Sequence, residues 1–152
     1  MAKITVYIVS HNYGRFLEEA IQSVITQTFK NWELIIFDDN SSDDTYSIAS
    51  EYANDTSIKV IKNNENCGLQ KIANMAIVQA QGDYLLRVDA DDHLHPAALE
   101  TLYEAISSDK NYKMAYSDFY YTDEFGNILG LEKSSSRKFM TNLSIEVLRS
   151  RT

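Results

Sequence analysis

Short apolar runs alternate with longer segments in which apolar positions recur every three or four residues. Four of the runs are typical of strands buried in a parallel sheet. They are Ile4–Ser10, Trp32–Asp38, Ile58–Ile61 and Tyr84–Val88. Because helical segments separate them, the pattern predicts a doubly wound α/β fold, in which a mostly parallel sheet has helices on both faces.

The periodic segments between the strands predict amphipathic helices. They cover Phe16–Gln27, Asp44–Ala53 and Leu69–Ala80. The predicted core face of the third helix contains Leu69, Ile72, Ala73, Ala76 and Ile77. Further along the chain we expect a helix over Ala97–Ile106, strands over Met114–Thr122 and Ile128–Leu131, and a polar segment at Lys133–Lys138.

Each of the four predicted strands is followed by a polar loop. The loops are Ser10–Gly14, Asp38–Ser42, Asn63–Gly68 and Asp89–Asp92. The carboxyl ends of parallel strands meet at one edge of a sheet, and ligands of open α/β sheets bind outside that edge. The sequence therefore predicts one ligand site formed by these loops.

The last of these loops has three carboxylates within four positions, Asp89, Asp91 and Asp92. Carboxylates this close repel one another, and a bound cation is one way to relieve the repulsion. Oxygen ligands at short spacing suit Mg²⁺ or Mn²⁺. A metal site is therefore favoured over a solvated turn.

Other polar residues near this edge have simpler explanations. Asp38 and Asp39 fit helix capping and turn formation as readily as a ligand role. Arg87 lies inside an apolar strand, so we expect it to pair with a carboxylate. His93 and His95 follow the acids, but exposed loop histidines more often have no ligand, and no role is assigned to them.

Composition and charge narrow the function classes. The 152 residues, 44% hydrophobic and 24% charged, fit one soluble globular domain. A formal charge of −8, from 22 acidic and 14 basic residues, argues against a nucleic-acid surface. The single Cys67 and the lack of zinc-ligand spacing favour a reducing, cytoplasmic location. No apolar run approaches the ~20 residues of a membrane span.

Five segments, in order, resemble the motifs of family 2 glycosyltransferases in the nucleotide-binding part of their GT-A fold. They are Ile4–Tyr13, Leu17–Thr28, Trp32–Thr45, Asn66–Leu69, and Gly82–Tyr84 with Asp89–Asp92. Five motifs in order are far more specific than a lone Asp-x-Asp. The resemblance implies a Rossmann-like GT-A nucleotide-sugar-binding domain over residues 1–132, and a polar segment with the start of the acceptor-binding part over 133–152.

The same resemblance implies site residues. Those that would line the pocket of the nucleotide base, typically uracil, are Val9, Ser10, His11 and Asn12. Asp39 would accept a hydrogen bond from the base. Asp89 would face the ribose and the metal region, and Asp91 would ligate the Mn²⁺ or Mg²⁺ that bridges the donor diphosphate.

The implied reaction is transfer of a sugar, with inversion, from a nucleotide diphosphate sugar to a glycan or lipid-linked acceptor. Its general base is expected beyond Thr152. Val9 and Ser10 replace the family's usual Pro and Thr, and Lys71 and Ala73 alter its usual third helix. A cytoplasmic location, peripheral association with the inner face of the membrane through regions outside this chain, and a homo-oligomer are compatible with this interpretation.

Three other functions are compatible with the acidic loops. A nucleotidyltransferase would need a glycine-rich, basic phosphate loop, and Ser10–Arg15 offers one Gly and one Arg. A phosphoacceptor signalling domain would need an Asp after a central strand and a Lys after a later one. A nucleotide-sugar-binding module without transfer activity would need the donor-site residues alone.

Overall fold

A computed structural model describes residues 3–123, 126–133 and 147–150 of the chain. The main sheet contains β1 (Ile4–Ser10), β2 (Trp32–Asp38), β3 (Ile58–Lys62) and β4 (Tyr84–Asp89). All neighbouring pairs are parallel, and the strand order is β3-β2-β1-β4. The four predicted strands are therefore confirmed, with boundaries that differ by at most one residue.

Helices cover both faces of this sheet. They are α1 (Gly14–Ile25), α2 (Thr45–Glu51), α3 (Gly68–Gln79) and α4 (Ala98–Ser107). One core cluster joins α1, α2 and α4 to the sheet, and a second cluster joins α3 to the opposite face. The predicted doubly wound α/β fold is confirmed.

Successive side chains of β1 point alternately into the two core clusters on the two faces of the sheet. Val6 and Ile8 are fully buried on the side of α1, whereas Tyr7 packs edge-on against Phe37 on the side of α3. Burial of each such side chain contributes about 1.5–3 kcal/mol. The continuous apolar run of the sequence thus follows from burial on both faces.

Two apolar stretches that were predicted to be buried are partly exposed. In β4, which lies at the end of the strand order, Val88 is buried but Leu85 is 38% exposed. In α3, Ile72 and Ala76 are buried, whereas Leu69 and Ile77 are 45% and 61% exposed. The helix covers only part of the sheet, so its buried face is narrower than its apolar face.

A second sheet is formed by β5 (Asp92–Leu94), β6 (Phe119–Thr122), β7 (Ile128–Glu132) and β8 (Val147–Ser150), in the order β5-β8-β6-β7. Strand β5 was not predicted. The predicted strand over Met114–Thr122 was wrong in its first half, because residues 113–118 form no ladder and Met114 is 76% exposed. An apolar pattern alone does not make a strand, because a strand also has to pair with a neighbouring strand.

None of the helices in the described ranges is long and apolar enough to cross a membrane. The predicted domain boundary near residue 132 stays a prediction, because most of residues 133–152 lie outside those ranges.

Candidate functional site

A cleft of about 290 Å³ opens at the carboxyl edge of the main sheet. It is lined by Val9, His11, Tyr13, Asp39, Asn66, Gly68, Leu69, Asp89, Ala90 and Asp91. Residues from all four predicted polar loops therefore line one cleft. A second cleft of about 340 Å³ lies between β4 and α4 and shares no lining residue with the first.

The register of the sheet brings the acidic side chains together. Val9, near the end of β1, pairs with Phe37 of β2 on one side and with Asp89 of β4 on the other. Asp39 directly follows β2, and its backbone N–H donates to Ser10 O at 2.8 Å. Parallel pairing thus places Asp39 and Asp89 at the same edge.

Asp39 is held by three donors and is only 3% exposed. Its Oδ1 accepts from Cys67 N at 2.8 Å and Asn63 Nδ2 at 2.9 Å, and its Oδ2 accepts from Gly68 N at 2.9 Å. Burial alone would raise the pKa of Asp39, but the hydrogen bonds from Cys67, Asn63 and Gly68 bring it below the ordinary 3.8. The carboxylate is therefore charged at neutral pH and fixed in position.

The loop after β1 is joined to the loop after β2 through His11 and Asn12. His11 Nδ1 lies 2.8 Å from Asp39 O. Asn12 N donates to Ser41 Oγ at 2.9 Å, and Asn12 Oδ1 accepts from Ser42 N at 2.8 Å and from Ser42 Oγ at 3.1 Å. The two loops therefore form one hydrogen-bonded unit at the cleft.

The four residues predicted for the base pocket are placed differently. Val9 and His11 line the cleft. Ser10 is 1% exposed, and its Oγ has no hydrogen-bond partner among the described residues. The side chain of Asn12 is directed to Ser42 and His11 and is not part of the lining.

Asp43 fixes the start of α1 against the start of α2. Its Oδ2 accepts from Gly14 N at 2.9 Å, and its Oδ1 accepts from Thr45 N at 3.0 Å and Thr45 Oγ1 at 2.6 Å. Burial would raise the pKa of Asp43, but the hydrogen bonds from Thr45 and Gly14 lower it. A Cβ on Gly14 would lie 3.0 Å from Thr45 N, so glycine permits this close approach.

The acidic end of the cleft is more open. Arg87 Nη2 pairs with Asp89 Oδ2 at 2.9 Å, and the two side chains are 37% and 32% exposed. This contact confirms the predicted pairing of Arg87 with a carboxylate. Asp91 lines the cleft, whereas Asp92 is 7% exposed and begins β5.

The histidines after the acids lie outside the cleft lining. The prediction of an exposed loop residue was wrong for His93, which lies in β5, 3.7 Å from Glu19 Oε1 through its Nδ1. Burial lowers the pKa of His93, and Glu19 opposes that shift. His95 is exposed, its Nδ1 accepts from Ala97 N, and its carbonyl accepts from the buried Gln27 at 2.7 Å.

The acidic residues of the cleft fit a divalent ion only as a partial set of ligands. Within the described ranges no group of three or more His, Cys, Asp or Glu side chains is arranged to hold a metal. Asp89 and Asp91 nevertheless line one cleft and offer carboxylate oxygens. Mg²⁺ usually takes one or two protein carboxylates and completes its coordination with water and substrate phosphates. Such an ion fits here if it binds together with a diphosphate.

Sequence reasoning gave no individual site role to five lining residues, Tyr13, Asn66, Gly68, Leu69 and Ala90. Tyr13 is 41% exposed, and the signal for it was an aromatic residue within a polar loop after a strand. Leu69 was counted as a core residue because it fits the helical period of α3. Ala90 lies between two predicted ligands.

Comparisons with a family model and with individual proteins identify the same family. The family described as "Glycosyl transferase family 2" matches residues 5–146. The chain is 38% identical over 126 residues to the putative glycosyltransferase EpsE of Bacillus subtilis (strain 168), covering 82% of this chain and 45% of EpsE.

Solved structures share the fold. S. aureus TarS 1–349 in complex with UDP superposes with a TM-score of 0.70 at 26% identity, over 90% of this chain and 40% of that one. The mannosyltransferase PcManGT from Pyrobaculum calidifontis, in complex with GDP-Man and Mn²⁺, superposes with a TM-score of 0.62 at 21% identity, over 80% and 35% of the two chains. The chain spans less than half the length of each of these three proteins. By the family match over most of its length, the chain belongs to glycosyltransferase family 2, and its α/β sheet has the GT-A fold.

Proposed function

We propose that the chain is the nucleotide-sugar-binding part of a metal-dependent, inverting glycosyltransferase that uses a UDP-sugar, with a hexosyl group as the sugar transferred. The observation that carries the proposal is the cleft itself, where a fixed carboxylate, Asp39, and two acids at the opposite side, Asp89 and Asp91, line one cavity. A nucleotide diphosphate has a hydrogen-bonding base at one end and charged phosphates at the other. TarS has been crystallised with UDP and with UDP-GlcNAc, which supports the choice of nucleotide.

At the base end, the chain offers a charged acceptor and aromatic side chains. Asp39 Oδ2 accepts one hydrogen bond, from Gly68 N, so it can accept a second from a ring N–H such as that of uracil. His11 and Tyr13 line the same cleft, and aromatic rings of this kind can stack on a base. Val9 contributes apolar surface beside them.

At the phosphate end, Asp91 and Asp89 would hold Mn²⁺ or Mg²⁺. When bound, the ion would neutralise the charge that develops on the nucleotide diphosphate as the sugar leaves. Arg87 pairs with Asp89 in this structure, so an ion bound by Asp89 would have to share or replace that partly exposed ion pair. The chain's own residues thus bind and orient the donor.

The acceptor end of the reaction belongs to residues outside the described cleft. We propose a glycan or lipid-linked acceptor and a general base beyond Thr152. Association with the inner face of the membrane and self-association stay predictions of the sequence.

The proposal is tested by the melting temperature of the protein with UDP or UDP-GlcNAc, with and without Mn²⁺. A ligand that binds only the folded state raises the melting temperature. We expect a clear rise with nucleotide and Mn²⁺ together and a much smaller rise with either alone. Asp91→Ala should remove most of the joint effect.

Asp83→Ala is the matched control, because Asp83 is an exposed acid that pairs with Lys3 outside the cleft. It should keep the full nucleotide effect. Equal shifts with and without Mn²⁺, or an equal loss in both variants, would count against the metal-dependent donor site.

A further inference from the structure

The side chain of Asn12 connects a backbone amide on one loop to the ring of His11. Asn12 Oδ1 accepts from Ser42 N at 2.8 Å and from Ser42 Oγ at 3.1 Å. Asn12 Nδ2 lies 3.3 Å from His11 Nε2. The other ring nitrogen, Nδ1, lies 2.8 Å from Asp39 O. His11 is thus contacted at both nitrogens.

The identity of these partners determines which atoms donate. A backbone N–H can only donate, so Ser42 N must face the oxygen of the Asn12 amide, and the amide nitrogen must face His11. The amide nitrogen can only donate, so His11 Nε2 must accept. A backbone carbonyl can only accept, so His11 Nδ1 must carry the proton. One uncharged tautomer satisfies all these contacts.

We propose that Asn12 is a positioning residue that holds His11 as the neutral Nδ1–H tautomer, so that an uncharged ring of fixed orientation borders the base end of the cleft. The inference rests on the proposed nucleotide site. It gives Asn12 an indirect role in binding through His11, in place of direct contact with the base. An uncharged His11 would contact the base and would not pair with the phosphates as a cation.

Asn40 provides a matched control for Asn12, because the two residues have nearly the same backbone φ. Asn12 has φ 61°, in the left-handed region that Asn tolerates better than most residues. Asn40, in the neighbouring loop, has φ 63° and an exposed side chain, for which the structure shows no hydrogen bond to a described residue. Glycine at either position keeps the backbone conformation and removes only the side chain.

Long-range ¹H–¹⁵N correlation spectra of the histidine rings test the tautomer in the full chain at neutral pH. The His11 signals are identified by their loss in His11→Gln. We expect a single neutral Nδ1–H form in the unchanged protein and in Asn40→Gly, and a mixture of tautomers in Asn12→Gly. Asn12→Asp keeps the acceptor for Ser42 N but places an oxygen beside His11 Nε2. The His11 ring should therefore carry protons on both nitrogens in this variant.

Binding of UMP without metal tests the consequence. Asn12→Gly should weaken UMP binding about fivefold, the effect of losing one hydrogen bond, whereas Asn40→Gly should change it less than about twofold. UMP lacks the second phosphate, so the comparison isolates the base end.

The results separate the two proposals. An Nε2–H or mixed tautomer in the unchanged protein, or a single Nδ1–H form that persists in Asn12→Gly, would overturn the positioning role even if UMP binds. Equal weakening in the two glycine variants would also overturn it. Failure of the unchanged protein to bind either UMP or UDP would instead refute the nucleotide site itself.

Discussion

Asp39 and Asp89 line the same cleft, but their surroundings differ. Asp39 is 3% exposed and accepts three hydrogen bonds, two of them from the backbone. The Asp89 side chain is 32% exposed and pairs with Arg87. The Asp39 side of the cleft, the base end in our proposal, is therefore fixed by its own hydrogen bonds. At the acidic end, where we propose the metal, Asp89 has only one partly exposed ion pair to exchange.

The largest expected effect comes from removing the fixed acceptor. Asp39→Ala leaves three N–H donors without their carboxylate, and buried donors without a partner are costly. We expect a loss of about 2–4 kcal/mol in the free energy of unfolding, measured by urea titration, together with loss of UMP binding. Asp89→Ala should lose less than about 1 kcal/mol, because its ion pair is partly exposed. Equal losses would contradict the contrast between the two ends.

Alanine substitutions of two glycines with positive φ separate the effect of backbone strain from an effect on nucleotide binding. Gly68 has φ 74° and Gly126 has φ 80°, and nothing lies within 4 Å of a Cβ added at either position. Alanine at each should therefore destabilise the fold by a similar amount, about 1 kcal/mol. Because Gly68 N donates to Asp39, only Gly68→Ala should also weaken UMP binding in calorimetry. Weaker binding in both variants would show that the effect is not local.

The pH dependence of stability should follow two acids, Asp39 in the cleft and Asp43 at the starts of α1 and α2. Asp39 and Asp43 have pKa values in the folded state below the ordinary 3.8. Carboxylates of this kind stabilise the fold above their unfolded pKa, and the contribution is lost as the pH falls through the folded pKa. The free energy of unfolding should therefore decrease from about pH 5 downwards, and less steeply in Asp43→Asn. A variant curve parallel to that of the unchanged protein would exclude a contribution from Asp43.

The smallest effect is expected at the acidic end. Arg87→Gln breaks a partly exposed ion pair, which contributes little to stability. It also frees Asp89, so binding of UDP with Mn²⁺ should become stronger, by up to about threefold. Lys3→Gln breaks the exposed pair with Asp83 outside the cleft and should leave nucleotide binding unchanged. Weaker binding in Arg87→Gln would mean that Arg87 itself contacts the donor.

The sheet and its helices were predictable because burial on both faces of the sheet requires continuous apolar runs in the strands and apolar residues at helical spacing in the helices. The apolar run of β1 gave that strand to the residue, and the helical period of α1 gave that helix to within two residues at each end. Strand β5 was missed because three residues with an acid and a histidine carry no periodic signal. The exposure of Ile77 was missed because the period of a helix does not report how much of the sheet the helix covers.

The candidate site was predictable in its location and less so in its contacts. Polar loops after parallel strands point to one edge, and Val9, His11, Asp39, Asp89 and Asp91 do line one cleft. The partner of Asn12 could not be predicted, because Ser42 lies 30 residues away and the contact depends on how two loops meet. Short-range patterns identify which residues are polar, but the tertiary fold determines what each one contacts.

Isothermal titration of UMP and UDP, each with and without Mn²⁺, tests the two-part site most directly. The base end requires no ion, so UMP should bind with nearly the same affinity in both conditions. UDP should gain about tenfold or more from Mn²⁺, through Asp89 and Asp91. If Mn²⁺ strengthens UMP and UDP equally, or strengthens neither, the proposal of a preformed base end and a metal-dependent phosphate end is contradicted.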